Sequence, residues 1–190
     1  MNGQNVPGRN IVLIGMMGAG KTTVGRLLAQ ALGRPFVDTD QTIESEQNQT
    51  IAQIFASQGE SHFRALERCA VQTISDHPRR VIAVGGGAVL DPANVSILRR
   101  GGDLVWLDAP VATLVANVGT DAEFQRRPLL NRSAEPVEEL RRRRDERLDV
   151  YHKAADHVVD TEGKSPQVLA KEILDWAANR PGLLHPKERP

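Results

Sequence analysis

A glycine-rich segment at residues 15–22 constrains the fold more than any other feature, because it fits the pattern G-x-x-x-x-G-K-[ST]. An apolar run typical of a short buried strand precedes it, and apolar residues at helical spacing follow it as far as Gly33. A strand, a glycine loop and a helix in this order can cradle a phosphate, since backbone N–H groups turn inward at the positive end of the helix. The sequence therefore predicts a phosphate-binding loop here.

Within this loop, Lys21 can reach the β- and γ-phosphates of a nucleotide, and Thr22 can offer its hydroxyl to Mg²⁺. The alternative is an ordinary glycine-rich turn with a solvated lysine, which the flanking strand and helix disfavour. The residues expected to bind the nucleotide phosphates are Gly18, Ala19, Gly20, Lys21, Thr22 and Thr23.

The composition points to one compact domain. The chain has 190 residues, with 24 acidic and 24 basic side chains, so no overall field recruits nucleic acid or an anionic membrane. Its one cysteine, Cys69, excludes an internal disulfide framework, and apolar helical neighbours predict that it packs in the core. We expect a single domain at residues 10–179, with flexible tails at residues 1–9 and 180–190.

The apolar segments are too short to cross a bilayer, which takes roughly 18 to 20 residues. The first ten residues are polar and lack the apolar region of a signal peptide. We therefore expect a cytoplasmic, monomeric protein whose partners are small molecules rather than nucleic acid or membranes.

Strand-like segments alternate with helical patterns along the chain. This alternation is typical of an α/β fold in which a parallel sheet is covered by helices on both faces. Ligands bind beyond the carboxyl ends of such strands, where the loops at residues 15–22, 38–40 and 85–87 should converge. The strand candidates are residues 11–14, 36–38, 81–84, 104–107 and 157–159.

A long polar segment with little periodicity, at residues 118–133, follows a helix predicted at residues 111–117. Unstructured loops of this length are uncommon without a function, so we interpret the segment as a mobile lid. A long surface loop without a role is the alternative.

Two aspartates, Asp38 and Asp40, stand at the end of the second strand. One could face Mg²⁺ beside Thr22 and the other a substrate hydroxyl; alternatively, Asp40 caps a helix beginning at Gln41 while Asp38 ends the strand. The three glycines at residues 85–87 are expected where a ligand approaches the main chain closely, although a tight turn would also explain them.

The arginines have simpler explanations from pattern alone. Arg64 follows Glu60 at the helical spacing of an ion pair, and residues 141–144 form a run of arginines interleaved with acidic residues, typical of a solvated face. Arg147 cannot be distinguished from that run by spacing. The five histidines show no ligand spacing, and none is assigned a role.

Taken together, the motifs resemble those of the shikimate kinase family over residues 10–175. The resemblance implies ATP-dependent phosphorylation of the 3-hydroxyl of shikimate, on the route to chorismate and the aromatic amino acids. It also implies a P-loop kinase fold with a five-stranded parallel sheet of order 2-3-1-4-5 and a closing lid. The shared motifs are G-x-x-G-x-G-K-T at residues 15–22, F-x-D-x-D at residues 36–40, I-x-x-I-F-x-x-x-G-E-x-x-F-R-x-x-E at residues 51–67, G-G-G at residues 85–87, R-P-L-L at residues 127–130 and R-x-x-x-Y-x-x-x-A at residues 147–155.

The resemblance also implies roles for individual residues. Lys21 and the lid residue Arg127 would contact the transferred phosphate, and Asp40 would act on the reacting hydroxyl. Thr22 would bind Mg²⁺, with Asp38 reaching the ion directly or through water. The residues that would line the shikimate site are Asp40, Arg64, Gly86, Gly87 and Arg147.

One departure from the family pattern concerns adenine. Many members carry an arginine that stacks on adenine seven residues before the R-P-L-L motif, but this chain has Thr120 there. Arg126 or Lys164 could compensate. The rival functions are another small-molecule kinase on the same scaffold, such as gluconate kinase, and a nucleotide-dependent switch, although the N-K-x-D motif of GTPases is missing.

Overall fold

The fold is built on one parallel sheet, as the alternation of segments predicts. The computed structural model describes residues 8–118 and 136–188, without the side chains of residues 118 and 136. The five strands pair in the order β2-β3-β1-β4-β5, which confirms the order that the family resemblance implies. Their bounds are Asn10–Ile14 for β1, Phe36–Asp38 for β2, Val81–Ala83 for β3, Gly102–Asp108 for β4 and His157–Asp160 for β5.

Helices cover both faces of the sheet. As a result, β1 and β3 are buried along their whole length, and β4 is buried along all but its last residue. Among the described residues, α1 packs against α7, and α3 packs against α2 and α4. Short 3₁₀ turns occupy Ala88–Leu90 and Pro186–Glu188. The α-helices are Lys21–Leu32 (α1), Thr39–Gln47 (α2), Ile51–Ser75 (α3), Pro92–Gly101 (α4), Val111–Val118 (α5), Pro136–Ala154 (α6) and Pro166–Asn179 (α7).

The helix boundaries have local causes. α1 begins after Gly20 and ends at Gly33, and both glycines are left-handed, with φ of 89° and 61°. Thr50 caps α3 through a capping box with Gln53. α3 is interrupted at Gly59, where φ is 81° and ψ is 174°, so that a new helical segment begins at Glu60.

The prediction of a flexible C-terminal tail is wrong over residues 180–188. Leu183 and Leu184 are buried, and the Glu188 carboxylate pairs with Arg34 at 2.6 Å and with Arg79 at 2.7 Å. Apolar burial and ion pairs formed with distant parts of the chain thus hold a segment whose prolines suggest disorder. At the other end, the prediction of a flexible N-terminal tail is wrong at Arg9, because its Nε donates to Asp103 at 2.9 Å.

The expectation for Cys69 is also wrong, because its side chain is exposed. The buried stripe of α3 follows Phe63, Ala70 and Ile74, and the helical rotation places the residue just before Ala70 outside it. Over the described part of the chain, no helix is both long and apolar enough to cross a membrane.

The predicted lid lies almost wholly outside the described residues. Arg126 and Arg127, together with Thr120, also lie outside them. Only the helix that precedes the segment, α5, tests this part of the sequence analysis, and it forms at the predicted position.

Candidate active site

Three loops converge at the carboxyl edge of the sheet, as the sequence predicts. A Cβ atom on Gly86 would stand 3.3 Å from both the carbonyl oxygen of Gly15 and the amide nitrogen of Met17. The Gly85 N–H donates to the Thr39 hydroxyl at 3.0 Å, which joins the third loop to the start of α2. The glycine loop after β3 therefore lies directly against the loop after β1 because it has no side chains.

The phosphate loop has the backbone conformation that its glycines allow. Gly15, Gly18 and Gly20 have φ of 143°, 78° and 89°. The Lys21 ammonium donates to the carbonyl oxygens of Gly15 at 2.8 Å and Met16 at 2.9 Å, which holds the amine at the loop. The loop thus presents a positive charge and a helix N-terminus together, a combination that favours a bound anion.

Asn117, at the end of α5, supports this loop from the side. Its amide Nδ2 donates to the Gly18 carbonyl at 2.7 Å. The sequence analysis missed this contact because the two residues are 99 positions apart and Asn117 belongs to no recognisable motif.

Thr22 and Asp38 place two side-chain oxygen atoms close together beside the loop. The Thr22 hydroxyl donates to Asp38 Oδ2 at 2.9 Å, while Asp38 Oδ1 accepts from the backbone N–H groups of Asp40 and Gln41. The helix cap is therefore Asp38, and the alternative in which Asp40 caps a helix beginning at Gln41 is wrong. β2 ends one residue before α2 begins, so the cap position falls on the earlier aspartate.

These two groups fit Mg²⁺. A hydroxyl and a carboxylate are hard oxygen ligands, and Mg²⁺ in phosphate sites is usually held by one or two protein groups together with phosphates and water. The described residues contain no cluster of three or more His, Cys, Asp or Glu side chains that could bind a metal without such help.

Two pockets open at this edge and share a boundary. The larger has a volume of about 410 Å³, and the smaller, next to the phosphate loop and Asn117, about 330 Å³. Four residues line both pockets: Thr22, Thr23, Asp38 and Asp40. The polar side chains that line only the larger pocket are Arg26, Gln41, Glu44, Arg64, Glu67, Arg143 and Arg147.

In the larger pocket, Arg64 pairs with two glutamates. It contacts Glu60 at 3.0 Å, as the helical spacing predicts, and Glu67 at 2.7 Å. Burial raises the pKa of Glu67, and the ion pair with Arg64 offsets this only in part. The sequence analysis gave Glu67 no role, although its three-residue separation from Arg64 on one helix is a sufficient signal.

Gly85 allows two carboxylates to approach each other. A Cβ atom at this position would stand 2.6 Å from Asp40 Oδ1 and 3.0 Å from Glu67 Oε1. The negative charge of Asp40 contributes to the raised pKa of Glu67. Gly87 plays a similar part for Arg64, because a Cβ atom there would stand 2.6 Å from Arg64 Nη1.

α6 brings Arg147 to the larger pocket, where its Nη1 donates to the Gly86 carbonyl at 3.3 Å. Arg143 lines the same pocket and pairs with Glu139, while Arg144 contacts Asp108. The interpretation of residues 141–144 as a solvated face is therefore wrong for the last two arginines, because one side of α6 faces the pocket and β4.

Lys164 is separate from the two pockets. Its amine pairs with Glu172 at 2.8 Å, and it is not among the described residues that line either pocket. The neighbouring Pro166 does line the smaller pocket.

Comparison with known proteins gives consistent matches. A family model described as shikimate kinase matches residues 17–178. The shikimate kinases of Symbiobacterium thermophilum and Moorella thermoacetica are both 45% identical over 171 residues, covering 90% of this chain and 97% and 94% of theirs. A solved shikimate kinase from Acinetobacter baumannii, in complex with shikimate, has a TM-score of 0.84 and 37% identity, covering 89% of this chain and 92% of that chain. The family match spans every residue that lines the two pockets.

Proposed function

This chain belongs to the shikimate kinase family, and accordingly we propose that its larger pocket holds shikimate and its smaller pocket holds ATP. The enzyme transfers a phosphate from ATP to the 3-hydroxyl of shikimate, with Mg²⁺, in aromatic amino-acid biosynthesis. The observation that carries the assignment is the shared boundary of the two pockets, because direct transfer requires the phosphate and the hydroxyl to meet at one point.

Shikimate has one carboxylate and three hydroxyls, and the larger pocket offers groups that match them. Arg64 and Arg147 provide guanidinium forks for the carboxylate. Asp40 lies on the shared boundary and accepts the proton of the reacting hydroxyl. The main chain at Gly86 and Gly87 lets the ring of shikimate approach closely, since no side chain intervenes.

On the nucleotide side, the main chain of residues 18–23 surrounds the phosphates, and the Lys21 ammonium neutralises their charge. Thr22 and Asp38, whose oxygen atoms lie 2.9 Å apart, would hold Mg²⁺. When bound, the ion neutralises charge on the transferred phosphate group. Arg127 contributes a second cation from the lid, and Lys164 lies towards the adenine end; both assignments rest on the family resemblance alone.

A coupled assay of ADP formation tests the function directly. We expect turnover with ATP and shikimate, and none with gluconate or without an acceptor. Comparable turnover with gluconate would instead identify a different small-molecule kinase on the same scaffold, and hydrolysis that is independent of any acceptor would favour a nucleotide switch.

We also propose that the chain acts as a single-domain monomer in the cytoplasm. The pairing of Arg9 with Asp103 on β4 and of Glu188 with Arg34 holds both described ends of the chain against one fold, which supports a single domain. Sedimentation equilibrium at micromolar concentration should give a mass near 20.8 kDa, and a dimer mass would refute the monomer.

A further inference from the structure

Tyr151 holds the glycine loop of the larger pocket without lining that pocket. It lies one helical turn after Arg147 on α6 and is 1% exposed. Its hydroxyl donates to the Gly86 carbonyl at 2.5 Å, and its ring stacks on Trp106 of β4 with the ring centroids 5.6 Å apart. The stacked ring therefore fixes the position of the hydroxyl, and through it the Gly86 carbonyl.

The Gly86 carbonyl receives two hydrogen bonds of unequal length. Tyr151 donates at 2.5 Å, and Arg147 Nη1 donates at 3.3 Å, beyond the usual range for N–H donors. A carbonyl oxygen can accept both bonds because it has two lone pairs. Arg147 is the donor that can leave, since the carbonyl would still keep its shorter bond.

We propose that Tyr151 is a positioning residue for shikimate: it satisfies the Gly86 carbonyl and so releases Arg147 to bind the substrate carboxylate. This inference rests on the proposed function, in which Arg147 is a carboxylate ligand. Without the tyrosine hydroxyl, Arg147 could bind shikimate only by leaving the half-buried Gly86 carbonyl poorly satisfied, and that cost would weaken substrate binding.

Two further observations support the proposal. Gly86 is confined on its other side by Gly15 and Met17 of the phosphate loop, so its peptide cannot easily turn to another donor. Burial raises the pKa of Tyr151 to about 12, and its hydroxyl therefore remains a donor across the working range of an enzyme. Because the peptide unit is planar, a fixed carbonyl at Gly86 also fixes the direction of the Gly87 N–H at the pocket.

The substitution Tyr151→Phe tests this role because it keeps the ring that stacks on Trp106 and removes only the hydroxyl. We expect KM and calorimetric Kd for shikimate to rise about tenfold, while kcat and KM for ATP stay within about twofold. Asn10→Ala is the control: Asn10 is also buried, and it accepts a hydrogen bond from the Arg80 N–H at the opposite end of the sheet. This variant should lose stability without a change in KM for shikimate.

A double-mutant cycle with Arg147→Met separates positioning from general destabilisation. If Tyr151 acts through Arg147, adding Tyr151→Phe to the Arg147→Met variant should raise KM for shikimate less than about twofold. A full tenfold effect in that background, an unchanged KM in the single variant, or an equal rise in the control would each overturn the proposal. If the wild-type enzyme phosphorylates shikimate and Tyr151→Phe has an unchanged KM, this inference alone is refuted. If the wild-type enzyme is inactive on shikimate, the proposed function is refuted.

Discussion

Arg64 shows how one side chain can serve both structure and substrate. Its two carboxylate partners differ in exposure, since the side chain of Glu60 is 56% exposed and that of Glu67 is 2% exposed. The pair with Glu60 is worth only a few tenths of a kcal/mol, as exposed helical pairs generally are. Glu67 instead accepts from Arg64 Nη1 at 2.7 Å, and this buried partner orients the guanidinium where Arg64 lines the larger pocket.

Arg64→Lys should separate these roles, because lysine keeps the charge but loses the planar fork. We expect KM for shikimate to rise at least about tenfold, equivalent to roughly 1.4 kcal/mol, with little change in melting temperature. Arg68→Lys, one turn further along α3, is the matched control because Arg68 pairs with Asp91 outside both pockets. An unchanged KM in the first variant would limit Arg64 to its ion pairs.

Asp40 should be needed for turnover and not for nucleotide binding, because it faces the acceptor hydroxyl in the proposed site. We expect Asp40→Asn to lower kcat at least about a hundredfold, as for loss of a general base, while ATP and Mg²⁺ bind normally in calorimetry without shikimate. Asp175→Asn, on the exposed face of α7, should leave both quantities unchanged. Loss of ATP binding in Asp40→Asn would reassign Asp40 to the metal.

At the scale of elements, the interruption of α3 shapes the larger pocket. Gly59 separates two helical segments, and the rings of Phe55 and Phe63 on either side approach to 4.7 Å between centroids. Both rings line the pocket together with Ile51. A straight helix would present these residues at regular turns, so the change of direction at Gly59 determines this apolar wall.

Gly59→Ala should therefore disturb both stability and substrate binding. A Cβ atom would meet nothing within 4 Å, so the cost comes from the backbone conformation, for which we expect about 1 to 3 kcal/mol. KM for shikimate should rise as the two rings shift. Ser57→Ala, two residues earlier on the exposed face, is the control in urea unfolding and in the kinetic assay. Equal free energies of unfolding for the two variants would show that the backbone conformation at Gly59 does not require glycine.

At the level of the whole molecule, Arg9 and residues 183–188 meet near the amino ends of the strands, opposite the pockets. The Arg34 guanidinium is 1% exposed and donates to the carbonyls of Arg9 and Leu183 as well as to Glu188. Burial opposes ionisation of Glu188, but the hydrogen bonds from Arg34, Arg79 and the His185 N–H outweigh it and lower its pKa to about 2. These contacts at the described ends of the chain thus stabilise the fold away from the two pockets.

Glu188→Gln should lower the free energy of unfolding at pH 7 by about 3 kcal/mol, because it leaves the buried Arg34 charge uncompensated. The lowered pKa of Glu188 means that its stabilising effect is present above about pH 4.5 and is lost as the pH falls towards 2. Wild-type stability should therefore fall more steeply than that of the variant across this range in urea titrations.

The kinetic constants of Glu188→Gln at pH 7 should match those of the wild type, because Glu188 lies outside both pockets. Glu138→Gln, in an exposed pair with Arg141, is the control and should change stability at pH 7 by less than about 1 kcal/mol. If Glu188→Gln is as stable as this control, the terminal ion pairs contribute little.

Local patterns in the sequence predict the phosphate loop, the five strands and the Arg64–Glu60 pair. Each depends on neighbours within a few residues, because glycine dihedrals, apolar periodicity and helical spacing are local properties. The family resemblance added the strand order, which local patterns cannot supply.

Which distant groups meet depends on the tertiary structure. Tyr151 and Gly86 are 65 residues apart, and Arg34 and Glu188 are 154 apart, so no local pattern links them. The packing of whole elements likewise determines that Leu183 is buried, that Cys69 is exposed, and that one side of α6 faces the larger pocket and β4. Contacts between distant residues depend on how the sheet and helices assemble, and the spacing of residues along the sequence does not specify that assembly.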